Sequence, residues 1–138
     1  MITYNTINVE MPYINETAVS AWVRQVAALY NKVIGDINYI FVDDETILDI
    51  NRRFIGHDYY TDHIGFDYSS GNALSGDIYI SLDTVKTNAE LYGVKADEEL
   101  RRIIIHGLLH LCGFRDKTDE ERSQMQQAED KALSHLTH

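Results

Sequence analysis

The residues best suited to chemistry in this chain lie in one segment, His106-Gly-Leu-Leu-His110-Leu-Cys-Gly113-Phe-Arg-Asp116. Histidines four apart on a helix stand one turn apart on the same face, so both imidazoles can reach a single ion. Gly113 is placed to break that helix, and the chain can then turn back to carry Asp116 toward the same point. Two nitrogens and a carboxylate oxygen form a donor set with a fourth position open. Open sites are catalytic more often than structural, because a zinc ion there holds a water whose pKa falls to about 7. The expectation is therefore one Zn2+ per chain, held by His106, His110 and Asp116. The carboxylate offsets part of the metal charge, which makes that water less acidic than three neutral histidines would.

Plainer readings compete. Two histidines four apart also arise by chance, and a buried histidine can simply donate to a carbonyl. Here two of them would need such partners on an otherwise apolar helix. Asp116 also suits a loop or cap ahead of the segment that starts at Thr118. Gly107 bears on the reaction class. Zinc proteases of the H-E-x-x-H kind carry a general-base glutamate directly after the first histidine, and glycine cannot accept a proton. Ordinary proteolysis is disfavoured. Cys112 points elsewhere on the helix and reads as buried filler.

The elements that must position these residues follow from apolar spacing. Ile2 to Val9 reads as a strand. Asn15 can cap a helix carrying Ala18, Trp22, Val26, Leu29 and Val33, with Gly35 ending it. Ile37 to Val42 is a second, β-rich strand. Asp43 or Asp44 caps a helix that turns Ile47, Leu48, Ile50 and Phe54 inward. A polar loop from Gly56 to Thr61 leads to a strand at His63 to Tyr68, then a turn at Ser69 to Asn72 and a fourth strand at Gly76 to Ser81. Asp83 caps a helix that Gly93 closes, and Asp97 caps the histidine helix. Thr118 and Glu121 match a capping box for a last helix. The order β-α-β-α-β-β-α-α-α predicts an α+β fold: a small mixed four-stranded sheet packed with about five helices, the metal site on a central buried helix, and residues 1–138 as one domain.

Composition sets the class. With 44% hydrophobic and 25% charged residues, one Pro and eight Gly, the chain leaves no room for a linker and shows no repeat. No basic region followed by an apolar core opens it, and its longest apolar stretch, Ile103 to Phe114, is too short to span a bilayer. A lone cysteine fits a reducing compartment, so a cytoplasmic location is expected. The formal charge of −10 weighs against nucleic-acid binding, since affinity for a polyanion comes from Lys and Arg meeting phosphates. Any RNA contact must be local or assisted by a partner. The adjacent basic pairs are Arg52-Arg53 and Arg101-Arg102.

The histidine segment resembles the YbeY family of rRNA-processing endoribonucleases, whose motif H-G-x-L-H-L-x-G-[YF]-D-H holds a zinc. The match falls at His106, Gly107, Leu109, His110, Leu111, Gly113 and Phe114. Asn51, Phe54, Thr61-Asp62 and Phe66 are similar to the family stretch N-x-x-[YF]-R…T-D-V-L-S-F, Leu74 to Ser81 to L-G-D-I-x-I-S, and Met125 and Glu129 to its last helix. The third histidine of the motif falls at Asp116 and the residue before it at Arg115, while the family arginine falls at Ile55. The resemblance implies a metal-dependent endoribonuclease in small-subunit rRNA 3′-end maturation and ribosome quality control, with rRNA, the small subunit or its proteins as partners and no membrane. Arg52 and Arg53 are then candidates to replace the missing arginine, with a solvated helix face as the plainer role. His57, His63 and Asp62 are candidates for proton transfer, and Asp62 alternatively for orienting a ligand histidine. Tyr59 and Tyr60 can stack on bases or simply pack. Two rivals stay open: a ribosome-assembly binding factor around a structural zinc, and a zinc hydrolase of a non-RNA substrate.

Overall fold

The computed structural model describes residues 1–56 and 61–136. The elements run β1 (Ile2–Ile7), α1 (Glu16–Leu29), β2 (Val33–Val42), α2 (Asp44–Ile50) with a π-helical turn at Asn51–Ile55, β3 (His63–Asp67), β4 (Ala73–Ser81), α3 (Leu82–Tyr92), α4 (Ala96–Leu111) and α5 (Asp119–Ser134). The sheet order is β1-β2-β4-β3. The β1–β2 and β2–β4 pairs are parallel, and β3 is an antiparallel edge. This is the mixed four-stranded α+β architecture expected from the sequence.

Strand side chains alternate between faces, so one strand feeds two cores. Ile37, Tyr39 and Phe41 of β2 join Ile78 and Ile80 of β4 in the main core, against Val19, Trp22, Val23 and Val26 of α1 and Ile104, Ile105 and Leu108 of α4. Ile40 and Val42 face the other way, into a smaller cluster with Ile47, Ile50 and Ile64. Two buried polar contacts bind the layers. Trp22 Nε1 donates to Ala132 O at 2.8 Å, tying α1 to α5, and the Tyr39 hydroxyl donates to Ile104 O at 3.2 Å, tying β2 to α4. Burial pushes the Tyr39 phenol far above its ordinary pKa, so it stays a neutral donor.

Local chemistry departs from the sequence expectation in four places. Helix α1 stops at Leu29, Asn31 takes a left-handed φ of 61°, and β-branched Val33 and Ile34 open β2, so Gly35 lies inside the strand. Ser81, not Asp83, caps α3, its hydroxyl accepting from Thr84 N at 3.3 Å. Helix α4 starts at Ala96 behind Lys95 with no side-chain cap, and Asp97 lies in its first turn, where the helix dipole still favours an anion. Phe54 is 68% exposed and meets Phe66 edge-on instead of turning inward, because the π-helical turn changes the residue phase after Ile50. Gly93 and the Thr118–Glu121 capping box stand where expected.

Helix α4 lies on β4 at a contact only glycine permits. A Cβ on Gly107 would sit 2.9 Å from Ile78 Cγ2 and 3.1 Å from its Cδ1. Position 107 is therefore a packing constraint as well as the place where a protease would carry its base. Replacing Gly107 with Ala would add about 1 kcal/mol of helix propensity but incur an overpacking cost of about 1–3 kcal/mol, because Ile78 is buried and has little room to yield. Equilibrium denaturation of Gly107→Ala should show a net loss of up to about 2 kcal/mol. A gain in stability would mean that the helix has slack against the sheet.

Candidate metal centre

Helix α4 sets His106 and His110 side by side, their Nε2 atoms 3.1 Å apart. At the end of the helix Gly113 takes φ 107°, a conformation that L side chains rarely adopt, and the chain reverses. Phe114 N bonds back to Leu109 O, and the Phe114 ring packs edge-on against Tyr30. The reversal places Asp116 Oδ2 at 3.2 Å from His110 Nε2 and 3.3 Å from His106 Nε2. A third histidine comes from the sheet. His63 pairs with Ile80 across β3–β4, and Ser81 N bonds to Asp62 O at 2.9 Å, so the backbone on both sides of the His63 side chain is held. Its ring centroid lies 4.7 Å from His106 and 5.7 Å from His110. One nitrogen from each of His63, His106 and His110 lies within 4.8 Å of the others.

Each imidazole is oriented through its Nδ1. His106 Nδ1 donates to Glu129 Oε2 at 2.6 Å, His63 Nδ1 to Asp62 Oδ1 at 2.8 Å, and His110 Nδ1 to the Phe114 carbonyl at 3.1 Å. Carboxylates and carbonyls accept, so the Nδ1 proton is assigned by its partner and the neutral ring keeps its lone pair on Nε2. Glu129 is itself held by Arg102, at 2.9 Å to Oε1, and Arg102 also reaches Asp130 at 3.1 Å. Outer carboxylates that fix ring orientation and tautomer are a regular part of histidine metal sites.

The electrostatics favour positive charge at the convergence point. Burial, together with the neighbouring His106, holds His110 below its ordinary pKa, so near neutral pH it presents a bare Nε2 lone pair. That lone pair faces Asp116 Oδ2, an acceptor with nothing to donate. His106 goes the other way: burial opposes its charge, but the Glu129 hydrogen bond and the Glu129, Asp62 and Asp116 charges raise its pKa. For Asp62 burial opposes ionisation, and the His63 hydrogen bond and charge overcome it and lower the pKa. Donors about 2.1 Å from a tetrahedral zinc stand roughly 3.4 Å from one another. The separations of 3.1, 3.2 and 3.3 Å among His106 Nε2, His110 Nε2 and Asp116 Oδ2 are close to those edges. The residues fit a divalent ion.

A cleft of about 1040 Å³ opens onto the centre, lined by Asp62, His63, His106, Asp116 and Glu129 and also by Arg101, Arg102, Arg122, Glu99 and Tyr92. His106, His110, Asp116 and Asp62 lie together at this centre, joined by His63. Arg52 and Arg53 sit on the π-helical turn and do not line the cleft; Arg53 pairs with Asp49 at 3.0 Å. His57, Tyr59 and Tyr60 lie outside the described residues. Sequence reasoning treated His63 as a proton-transfer candidate and gave Glu129 and the Phe114 carbonyl no role. The Asp62-His63 adjacency was a usable signal for a carboxylate-oriented imidazole; nothing local marks the other two.

The family model for endoribonuclease YbeY matches residues 4–137. A Bacteroides thetaiotaomicron protein named endoribonuclease YbeY is 54% identical over 133 residues, covering 96% of this chain and 97% of its own length. One of the same name from Porphyromonas gingivalis is 46% identical over 132 residues, covering 96% of this chain and 87% of its own. The solution structure of a Thermotoga maritima protein superposes with a TM-score of 0.62 at 23% identity, over 97% of this chain and 90% of that one, which bears on the fold alone.

The Glu129 contact carries a test that leaves every donor in place. Glu129→Ala should weaken zinc binding about 10–100-fold in competition with a chromophoric chelator, because the His106 ring loses its orienting acceptor. Unchanged affinity would show that packing alone aligns the ring.

Proposed function

The chain belongs to the endoribonuclease YbeY family, and from that premise we propose that it is a zinc-dependent endoribonuclease acting in the 3′-end maturation of small-subunit rRNA and in ribosome quality control. The observation that carries the reading is the convergence of His106 Nε2, His110 Nε2 and Asp116 Oδ2 at 3.1–3.3 Å on the wall of an open cleft. In this reading residues 1–138 act as one domain, with one zinc held by those side chains, in the cytoplasm, on rRNA and alongside the small subunit or its proteins. No helix among the described residues is long and apolar enough to cross a membrane.

A bound zinc supplies Lewis acidity toward a phosphoryl oxygen and lowers the pKa of water to about 7. The chain's own groups do the rest. Glu129, Asp62 and the Phe114 carbonyl hold the imidazoles in one tautomer, so no reorganisation is needed when charge develops. Asp62 lines the cleft as an ionised carboxylate and is the proposed acceptor for a proton released beside His63. Arg101, Arg102 and Arg122 supply the positive charge along the cleft, each already paired with an acid: Asp97, Glu129 with Asp130, and Asp119. Arg52 and Arg53 would meet the RNA backbone beyond the cleft. With a formal charge of −10, such local contacts support weak association, which suits delivery of the RNA by a partner.

A second reading, a binding factor around a structural ion, draws on the crowding of the centre. Three nitrogens and a carboxylate can complete a tetrahedron, and closed shells are typical of structural zinc. Replacing His110 with Ala separates the two. A catalytic ion predicts a folded protein by circular dichroism whose cleavage of an rRNA fragment falls on the order of 10³-fold or more, the equivalent of several kcal/mol of lost Lewis-acid stabilisation. Collapse of the fold would favour the structural ion. Wild-type cleavage by the variant would remove the metal from the mechanism.

A further inference from the structure

The cleft brings four potential donors to one ion, and the structure treats them unequally. His106 and His110 project from a buried helix, and each has its Nδ1 bound to an acceptor. His63 is held in the same way although it comes from the sheet. Asp62 accepts from its Nδ1 at 2.8 Å, its backbone pairs with Ile80, and its side chain is 17% exposed, close to the 15% of His106. Asp116 is different. It sits in the short connection between α4 and α5, its side chain is 36% exposed against 32% for His110, and among the described residues its contacts are to the histidine nitrogens themselves. Among the described residues no other donor holds its carboxylate, so its position depends on the charge it faces.

Resting on the reading of a zinc centre, we infer that His63 is the third permanent ligand and that Asp116 is the exchangeable one, the arm that gives up its position when substrate arrives. Two physical arguments support the division. A ligand whose ring, tautomer and backbone are all fixed before the ion arrives loses little freedom on binding, so it contributes most of its intrinsic affinity. A carboxylate on an exposed connection must be ordered by the ion, and it can swing into the open cleft without leaving a buried charge unpaired. Three neutral imidazoles also put no anion on the ion itself, the carboxylates standing one hydrogen bond further out, and this favours an anionic phosphate at the fourth position. The division reconciles the crowded donor shell with turnover: the tetrahedron is closed at rest and opens at one identified corner.

The test measures metal binding, not only activity. Zinc affinity by chelator competition and the visible absorption of the Co2+-loaded protein are compared for wild type, His63→Ala and Asp116→Ala, with thermal melting of each metal-free protein as the folding control. His63→Phe keeps ring packing in the centre while removing the nitrogen, and replaces His63→Ala should that variant melt early. The expected result is a loss of zinc affinity on the order of 10²-fold or more without the His63 nitrogen, beyond what loss of an outer-shell partner brings. Asp116→Ala should keep one zinc per chain within about tenfold of wild-type affinity, with a shifted Co2+ spectrum as water replaces the carboxylate. Wild-type affinity in a folded His63 variant, or a larger loss in Asp116→Ala, overturns the assignment while leaving a zinc centre standing. Absence of stoichiometric zinc in the wild type would overturn the zinc reading itself and this assignment with it.

Discussion

The centre depends on hydrogen bonds made at the far side of each imidazole. A histidine side chain has two nitrogens and a rotatable ring, and only one orientation aims an Nε2 lone pair at a chosen point. Glu129, Asp62 and the Phe114 carbonyl remove that freedom, each accepting from one Nδ1. Three different kinds of element supply them: a helix, the lead-in to an edge strand, and the reversal after α4. The site is therefore a property of how α4, α5 and β3 sit together, and a shift of any one of them would turn a ring away. Preorganisation of this kind moves the ordering cost of binding from the moment of binding to folding itself.

Packing of α4 carries that requirement into the core. Its apolar face fills the space against β2, β4 and α1, and Gly107 lets the helix backbone approach Ile78 closely. The stripe toward the cleft carries Glu99, Arg102 and His106, while Leu100, Ile103, Ile104, Leu108 and Leu111 are buried in the core. Burial raises the pKa of Glu99, with Arg102 working against that and Asp62 and Glu129 adding to it. Arg102 answers this concentration of acid through Glu129 and Asp130. Carboxylates around the imidazoles collect negative charge at the centre, and a bound divalent ion would be the counter-charge that balances it.

The same balance bears on the substrate. Five acidic residues and three arginines line the cleft with the histidines, so the protein alone is not an electropositive trough for a polyanion. A cation bound at the centre, as proposed, would change the sign of the field there and so couple RNA recognition to metal loading.

Residue types and short spacings determined the sequence-legible part of this protein. The pair at 106 and 110, the glycine break at 113 and the return of Asp116 are separated by at most one helical turn or one reversal, so local geometry dictates their meeting. The order of strands and helices was legible too, because apolar periodicity reports which face is buried. Boundaries failed where a single residue overrode the pattern, as Asn31 did by ending α1 before Val33, and Phe54 failed because a π-helical turn altered the phase. Tertiary structure alone decided the arrival of His63 and Glu129 at the centre. Each lies far from His106 along the chain, and only the pairing of β3 with β4 and the packing of α5 on α4 close those distances. Local spacing constrains neighbours because the backbone between them has few conformations; it says nothing of partners whose approach is fixed by side chains packing across a core.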